Sequence, residues 1–109
     1  MIERTIQYEG YEGQVEIQAL GWRTGYVFIP EEHPLYGCLE EKAERNIICH
    51  GGVTFVGMRK DEGGKERFAI GFDCAHYGDT PDRWTTDAVE DELRSMILQF
   101  AEIANEKAR

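Results

Sequence analysis

The chain has 109 residues and a formal net charge of −9, from 12 Lys and Arg against 21 Asp and Glu with three neutral histidines. That length suits a single domain, 1–109, burying roughly 60–70% of its unfolded surface, and 41% hydrophobic with 30% charged residues excludes a disordered chain. The acidic balance argues against non-specific nucleic-acid binding through a basic patch and favours a partner with a basic surface.

Ile6 and Tyr8 share one face of an alternating segment, and Gln14-Val15-Glu16-Ile17-Gln18-Ala19 repeats the period-two pattern after the Gly-bearing Glu9 to Gly13 stretch. This predicts a β-hairpin. Gly25-Tyr26-Val27-Phe28-Ile29, ended by Pro30, reads as a third strand covered on both faces. Pro30, Pro34 and Gly37 make a loop, and Leu39 to Arg45 fits one or two helical turns. Val53 to Met58 and Phe68 to Asp73, separated by Asp61-Glu62-Gly63-Gly64, form a second hairpin signal. From Thr86 the period becomes 3.6, with Val89, Leu93, Met96, Ile97, Phe100 and Ile103 or Ala104 on one stripe. Asp87 and Glu90 have the spacing of an N-cap pair, and the acidic opening suits the positive end of the helix dipole. The expected fold is α+β: a small antiparallel sheet of hairpins with one C-terminal amphipathic helix packed on one face.

No basic region followed by an apolar run opens the sequence, and no stretch approaches the length of a membrane span. The expectation is a cytoplasmic protein with no membrane partner. Cys38, Cys49 and Cys74 are odd in number and lack a C-x-x-C spacing, which fits reduced thiols better than a disulfide framework or zinc ribbon.

The three histidines lie in turn-like settings: Glu32-His33-Pro34, Cys49-His50-Gly51-Gly52 and Asp73-Cys74-Ala75-His76-Tyr77-Gly78-Asp79. A hairpin turn centred on Glu62-Gly63 sets His50 opposite Ala75, Val53 opposite Phe72 and Phe55 opposite Ile70; one centred on Gly63-Gly64 sets His50 opposite Tyr77. Opposed residues lie about 5 Å apart, so either register brings His50, Asp73 and His76 to one end of the hairpin. The same pairing is expected to keep Val53, Phe55, Phe68, Ile70 and Phe72 on one face.

Two chemistries follow. His50, His76 and Asp73, or Asp79 in its place, with His33 arriving from its loop, suit a divalent metal such as zinc or manganese, whose open position can activate water. Without a metal, Gly51 and Gly52 offer backbone N–H groups to a ligand that His33, His50, His76, Asp73 and Asp79 orient. Each residue also has a structural reading, since strand-end histidines bond carbonyls and Asp beside Gly forms turns. Cys49 or Cys74 beside a histidine is a candidate nucleophile or a small buried hydrophobe. Trp22, Tyr26, Tyr36, Tyr77 and Trp84 offer either stacking walls or core packing.

The blocks Gly25 to Pro30, His33-Pro34-Leu35-Tyr36-Gly37, His50-Gly51-Gly52-Val53-Thr54-Phe55 and Gly71-Phe72-Asp73-Cys74-Ala75-His76-Tyr77-Gly78-Asp79 resemble a family of small proteins encoded by bacteriophages and prophages. The resemblance covers about residues 21 to 79 and brings no catalytic residues. What it implies is context: an accessory protein, working in the host cytoplasm, that counters a host defence by binding an effector protein or a nucleotide-like signal. The rival readings are a small metal-dependent hydrolase of phosphoesterase type, with His50, His76 and Asp73 as ligands and Asp79 or His33 as general base, and an acidic inhibitor that mimics nucleic acid.

Overall fold

The computed structural model describes residues 1–108. Strands β1 (Ile2–Tyr8), β2 (Tyr11–Ile17) and β3 (Arg23–Phe28) are followed by a short helix α1 (Glu40–Asn46), strands β4 (Phe55–Lys60) and β5 (Glu66–Asp73), and the long helix α2 (Thr86–Ala108). The five strands make one antiparallel sheet in the order β1-β2-β3-β5-β4. This is the expected α+β architecture. No helix among the described residues is long and apolar enough to cross a membrane.

The first hairpin turns on Glu9 and Gly10 alone, both at positive φ, and so closes more tightly than the glycine-rich stretch suggested. The second hairpin corrects the expected register. Gly64, at φ +85°, adds a third loop residue: its N–H donates to the Asp61 carbonyl, and the Asp61 N–H donates to Lys65. Phe55 consequently pairs with Gly71 and Val56 with Ile70. A one-residue slip turns a strand over. Phe55 therefore leaves the expected face, which keeps Val53, Phe68, Ile70 and Phe72, and joins Tyr26, Phe28 and Ala69 on the other.

Helix α2 covers the first face. Its stripe of Val89, Leu93, Met96, Ile97 and Phe100 is fully buried, as the 3.6 periodicity requires. The N-terminus differs from the expected Asp87–Glu90 pair: Thr85 caps it, its Oγ1 accepting from the Ala88 N–H. Asp87 and Glu90 instead hold Arg4 of β1 at 2.6 and 2.9 Å.

Among the described residues the second face carries no helix. Arg59 on β4 reaches Glu16 on β2 at 2.8 and 3.0 Å. The two strands are three spacings apart, about 14 Å in a flat sheet, so the sheet curls its second face inward. Arg59 lies 4.3 Å over the Tyr26 ring and Arg67 4.3 Å over Phe28, while Arg67 pairs with Glu12. The charged heads lid a small aromatic core.

Gly25 on β3 lets α2 seat. A Cβ there would meet Phe72 at 2.8 Å, Val89 at 3.0 Å and Leu93 at 3.1 Å. Gly25→Ala should therefore destabilise the fold by about 1–3 kcal/mol through overpacking. A lower midpoint in urea denaturation with an unchanged slope is the expected reading.

Candidate metal centre

Two irregular segments meet beside the first turns of α2. The segment after α1 forms a turn at Cys49 to Gly52, closed by the Gly52 N–H on the Cys49 carbonyl, with Gly51 at φ +68°. Its anchor is Glu92 of α2, whose carboxylate accepts the His50 N–H at 2.6 Å. The segment after β5 folds into a second turn, in which the Asp79 N–H donates to the His76 carbonyl and the His76 N–H returns to Asp79 Oδ2, each at 2.9 Å.

These turns bring the side chains together. His50 Nε2 lies 2.9 and 2.8 Å from the two Asp79 oxygens, and the His50 and His76 rings stand edge to face with centroids 5.4 Å apart. Trp84 stacks on His50 at 4.1 Å and fixes the plane of its ring. His76 lies directly on the Cα of Gly51, where any Cβ would run into the imidazole. His76 Nδ1 is buried and among the described residues makes no hydrogen bond of good geometry, although Asp79 Oδ2 is 3.3 Å and Asp73 Oδ1 3.5 Å away. One ligand atom each from His50, His76 and Asp79 lies within 4.8 Å of the others, a cluster that can hold a metal ion.

Asp79 is the central carboxylate. Its side chain is 7% exposed, against 37% for Asp73, which accepts from the Ala75 N–H and approaches only His76. Burial pushes the Asp79 carboxyl upward, but the His50 hydrogen bond, the His76 N–H and the nearby imidazole charge outweigh it and hold Asp79 below the ordinary aspartate value. Burial pushes Cys49 up to about 12, reinforced by Glu92 and Glu44, and Cys74 likewise up to about 12, reinforced by Asp79 and Asp73. Neither thiol supplies a thiolate near neutrality, so both take the reading of small apolar residues. Gly52 faces the Glu44 carboxylate, which a Cβ would meet at 2.7 Å, and this leaves little space for a ligand against its backbone.

No protein-family model, curated protein or solved structure matches this chain.

His33 sits elsewhere. It is 5% exposed, wedged between the Tyr11 and Phe100 rings. Its Nε2 lies 2.8 Å from the Phe100 carbonyl, and its Nδ1 accepts the Leu35 N–H at 3.0 Å. Both nitrogens are thus committed to main chain, an arrangement that fits the neutral imidazole with the proton on Nε2. Reasoning from sequence missed Glu92 as the partner of His50, and it named Trp84 as a stacking or core residue without assigning it to His50. Both are distant in sequence from His50, and only the placement of α2 and its preceding loop reveals them.

Two predictions follow from these contacts. His33→Ala strands a buried N–H and a buried carbonyl, so it should cost about 1–3 kcal/mol in urea denaturation while leaving the His50 cluster intact. For Asp79 the lowered value means that its stabilising contribution is present above about pH 4 and is lost as pH falls through its folded value. The difference in melting temperature between the native chain and Asp79→Asn should therefore shrink between about pH 5 and pH 2.

Proposed function

We propose that the protein is a metal-loaded accessory binding protein, of the kind the phage resemblance suggests, in which His50, His76 and Asp79 hold a divalent transition metal, zinc or manganese. The observation that carries the reading is His76 Nδ1, a buried nitrogen with no hydrogen bond of good geometry among the described residues, 3.3 Å from Asp79 Oδ2. Two ligands of a tetrahedral zinc lie about 3.3 Å apart, given bonds near 2.0 Å. The His50–Asp79 contact of 2.8 Å has to open by roughly half an ångström to match the same bond lengths. A buried polar atom without a partner is costly, and a bound cation satisfies this one together with the low-lying Asp79 carboxylate.

The metal joins the turn carrying His50 to the loop carrying His76 and Asp79. It thereby sets the shape of the segment 74–85, whose Tyr77 side chain is fully exposed. In this reading that segment is the recognition element. A host effector with a basic surface is the favoured partner, because Asp73, Glu44 and Glu92 crowd the site with negative charge and repel the phosphates of a nucleotide-like ligand.

The ligand count favours a second reading, metal-dependent hydrolysis. Three protein ligands leave a fourth position open, as in catalytic zinc sites, and Asp73 stands close enough to serve as a base. Its substrate would be a phosphoester, whose charge the bound cation would have to offset against the surrounding carboxylates.

Metal analysis of purified protein after dialysis against zinc or manganese is the test. About one equivalent should be retained, zinc should raise the melting temperature, and His50→Ala and Asp79→Asn should each weaken binding at least about tenfold. Absence of stoichiometric metal, or retention unaffected by both substitutions, overturns the proposal. Turnover of a generic phosphoester that Asp73→Asn abolishes while metal is kept would select the hydrolase.

A further inference from the structure

The two edges of the sheet are protected unequally. On β1, a register irregularity between Ile2 and Arg4 and the alternation of Glu3, Arg4, Thr5 and Gln7 interrupt the edge, and Arg4 is tied to α2. Bulges and charges of this kind keep an edge from pairing with another chain. The other edge, β4, reads Phe55-Val56-Gly57-Met58-Arg59-Lys60. Arg59 turns inward to Glu16, and Met58 is 53% exposed. Lys60, at the end of the strand, is its one charge without an ion pair among the described residues.

The hydrogen-bond phase of this edge follows from the hairpin. The loop closes on the Asp61–Lys65 pair, so alternate pairs below it, Arg59 with Arg67, Gly57 with Ala69 and Phe55 with Gly71, exchange main-chain bonds. The Thr54 N–H also donates to Gly71, which marks a bulge at the start of the strand and agrees with that phase. The N–H and C=O groups of Val56 and Met58 therefore point away from β5, and among the described residues no further strand pairs with them. Lys60 points outward too, but its carbonyl accepts from Gln14 Nε2 at 3.1 Å.

We infer that β4 pairs with β4 of a second copy of this chain, antiparallel about a two-fold axis at Gly57. In that register Val56 meets Met58 of the second copy and Met58 meets Val56. The N–H and C=O groups of Val56 and Met58, four on each strand, are satisfied, and the committed Lys60 carbonyl is not needed. Shifting the axis to Met58 would pair Val56 with Lys60 and demand that carbonyl. The side chains agree with the same register. Met58 and Val56 cover each other on one face, and Phe55 lies beside Arg59 of the second copy on the other, an aromatic–cation pair. Such a contact is isologous and closes at two chains. It also lies on a part of the surface where Arg59 and Lys60 locally offset the net charge of −9, so salt should strengthen association by screening the remaining repulsion.

Sedimentation equilibrium over about 10–500 μM, the range suited to a small interface, reads the association directly. The native chain should move from monomer toward dimer across that range, more readily at higher salt, and Met58→Lys should remain monomeric with an unchanged melting temperature. Amide hydrogen exchange on the native chain needs no variant. The Val56 and Met58 amides should gain at least about tenfold protection as concentration rises, while the Lys60 amide should not. A chain that stays monomeric throughout, or a dimer whose Val56 and Met58 amides exchange as freely as in dilute solution, overturns the inference.

Discussion

The structure depends on one contact surface, the apolar stripe of α2 laid against strands β2 and β3 where glycine keeps the sheet low. Leu93 reaches both seats: a Cβ at Gly13 would come within 3.4 Å of its side chain and one at Gly25 within 3.1 Å. Five fully buried side chains, Val89, Leu93, Met96, Ile97 and Phe100, converge on this surface. Burial of each contributes about 1.5–3 kcal/mol. Once seated, the helix organises segments that have no regular structure of their own. The Gln99 amide bonds both the N–H and the C=O of Ile48, Glu92 takes the His50 N–H, and the Phe100 carbonyl meets His33. The loop after β3 and the His50 turn are thus held by polar groups of one helix, at positions set by its packing.

The opposite face solves a different problem. A sheet with one helix leaves its second surface to water, yet Tyr26 and Phe28 are buried there. Arginine stems and their carboxylate partners do the covering, which gives part of the acidic excess an internal role: Glu12 and Glu16 hold Arg67 and Arg59. Surface ion pairs contribute little individually. Here the heads also fix where the apolar stems lie, so the geometry matters more than the Coulomb attraction.

Periodicity made the strands, the hairpins and the helix stripe legible, because each repeats a local rule many times. The register of β4 was not legible to the same degree. It turns on whether Gly64 belongs to the loop or the strand, a choice of one backbone conformation that reverses every side chain before it. Phe55 shows the consequence, an aromatic expected beside Ile70 and found beside Tyr26. The convergence of His50 with His76 survived the slip because both lie beyond the paired strands, in turns. The contacts of His50 with Glu92 and Trp84 depend on tertiary placement across more than thirty residues, and no local pattern carries such information.

Asp73 and Asp79 carry the same side chain and flank the same histidine, yet the chain treats them differently for a reason visible in the turn geometry. Asp73 ends β5, and its carboxylate bonds the Ala75 N–H two residues on, an arrangement that leaves it at the rim. Asp79 comes three residues after His76, so the turn that returns its N–H to the His76 carbonyl also folds its side chain back on the His76 N–H and against both imidazoles. That inward position exists because the His76 ring can lie on Gly51. A side chain at Gly51 would displace the ring, separate His76 from Asp79 and leave His50 paired with a carboxylate that had lost its second partner. The cluster is therefore a property of two turns in contact, one supplying a carboxylate folded onto its own backbone and the other an absent side chain.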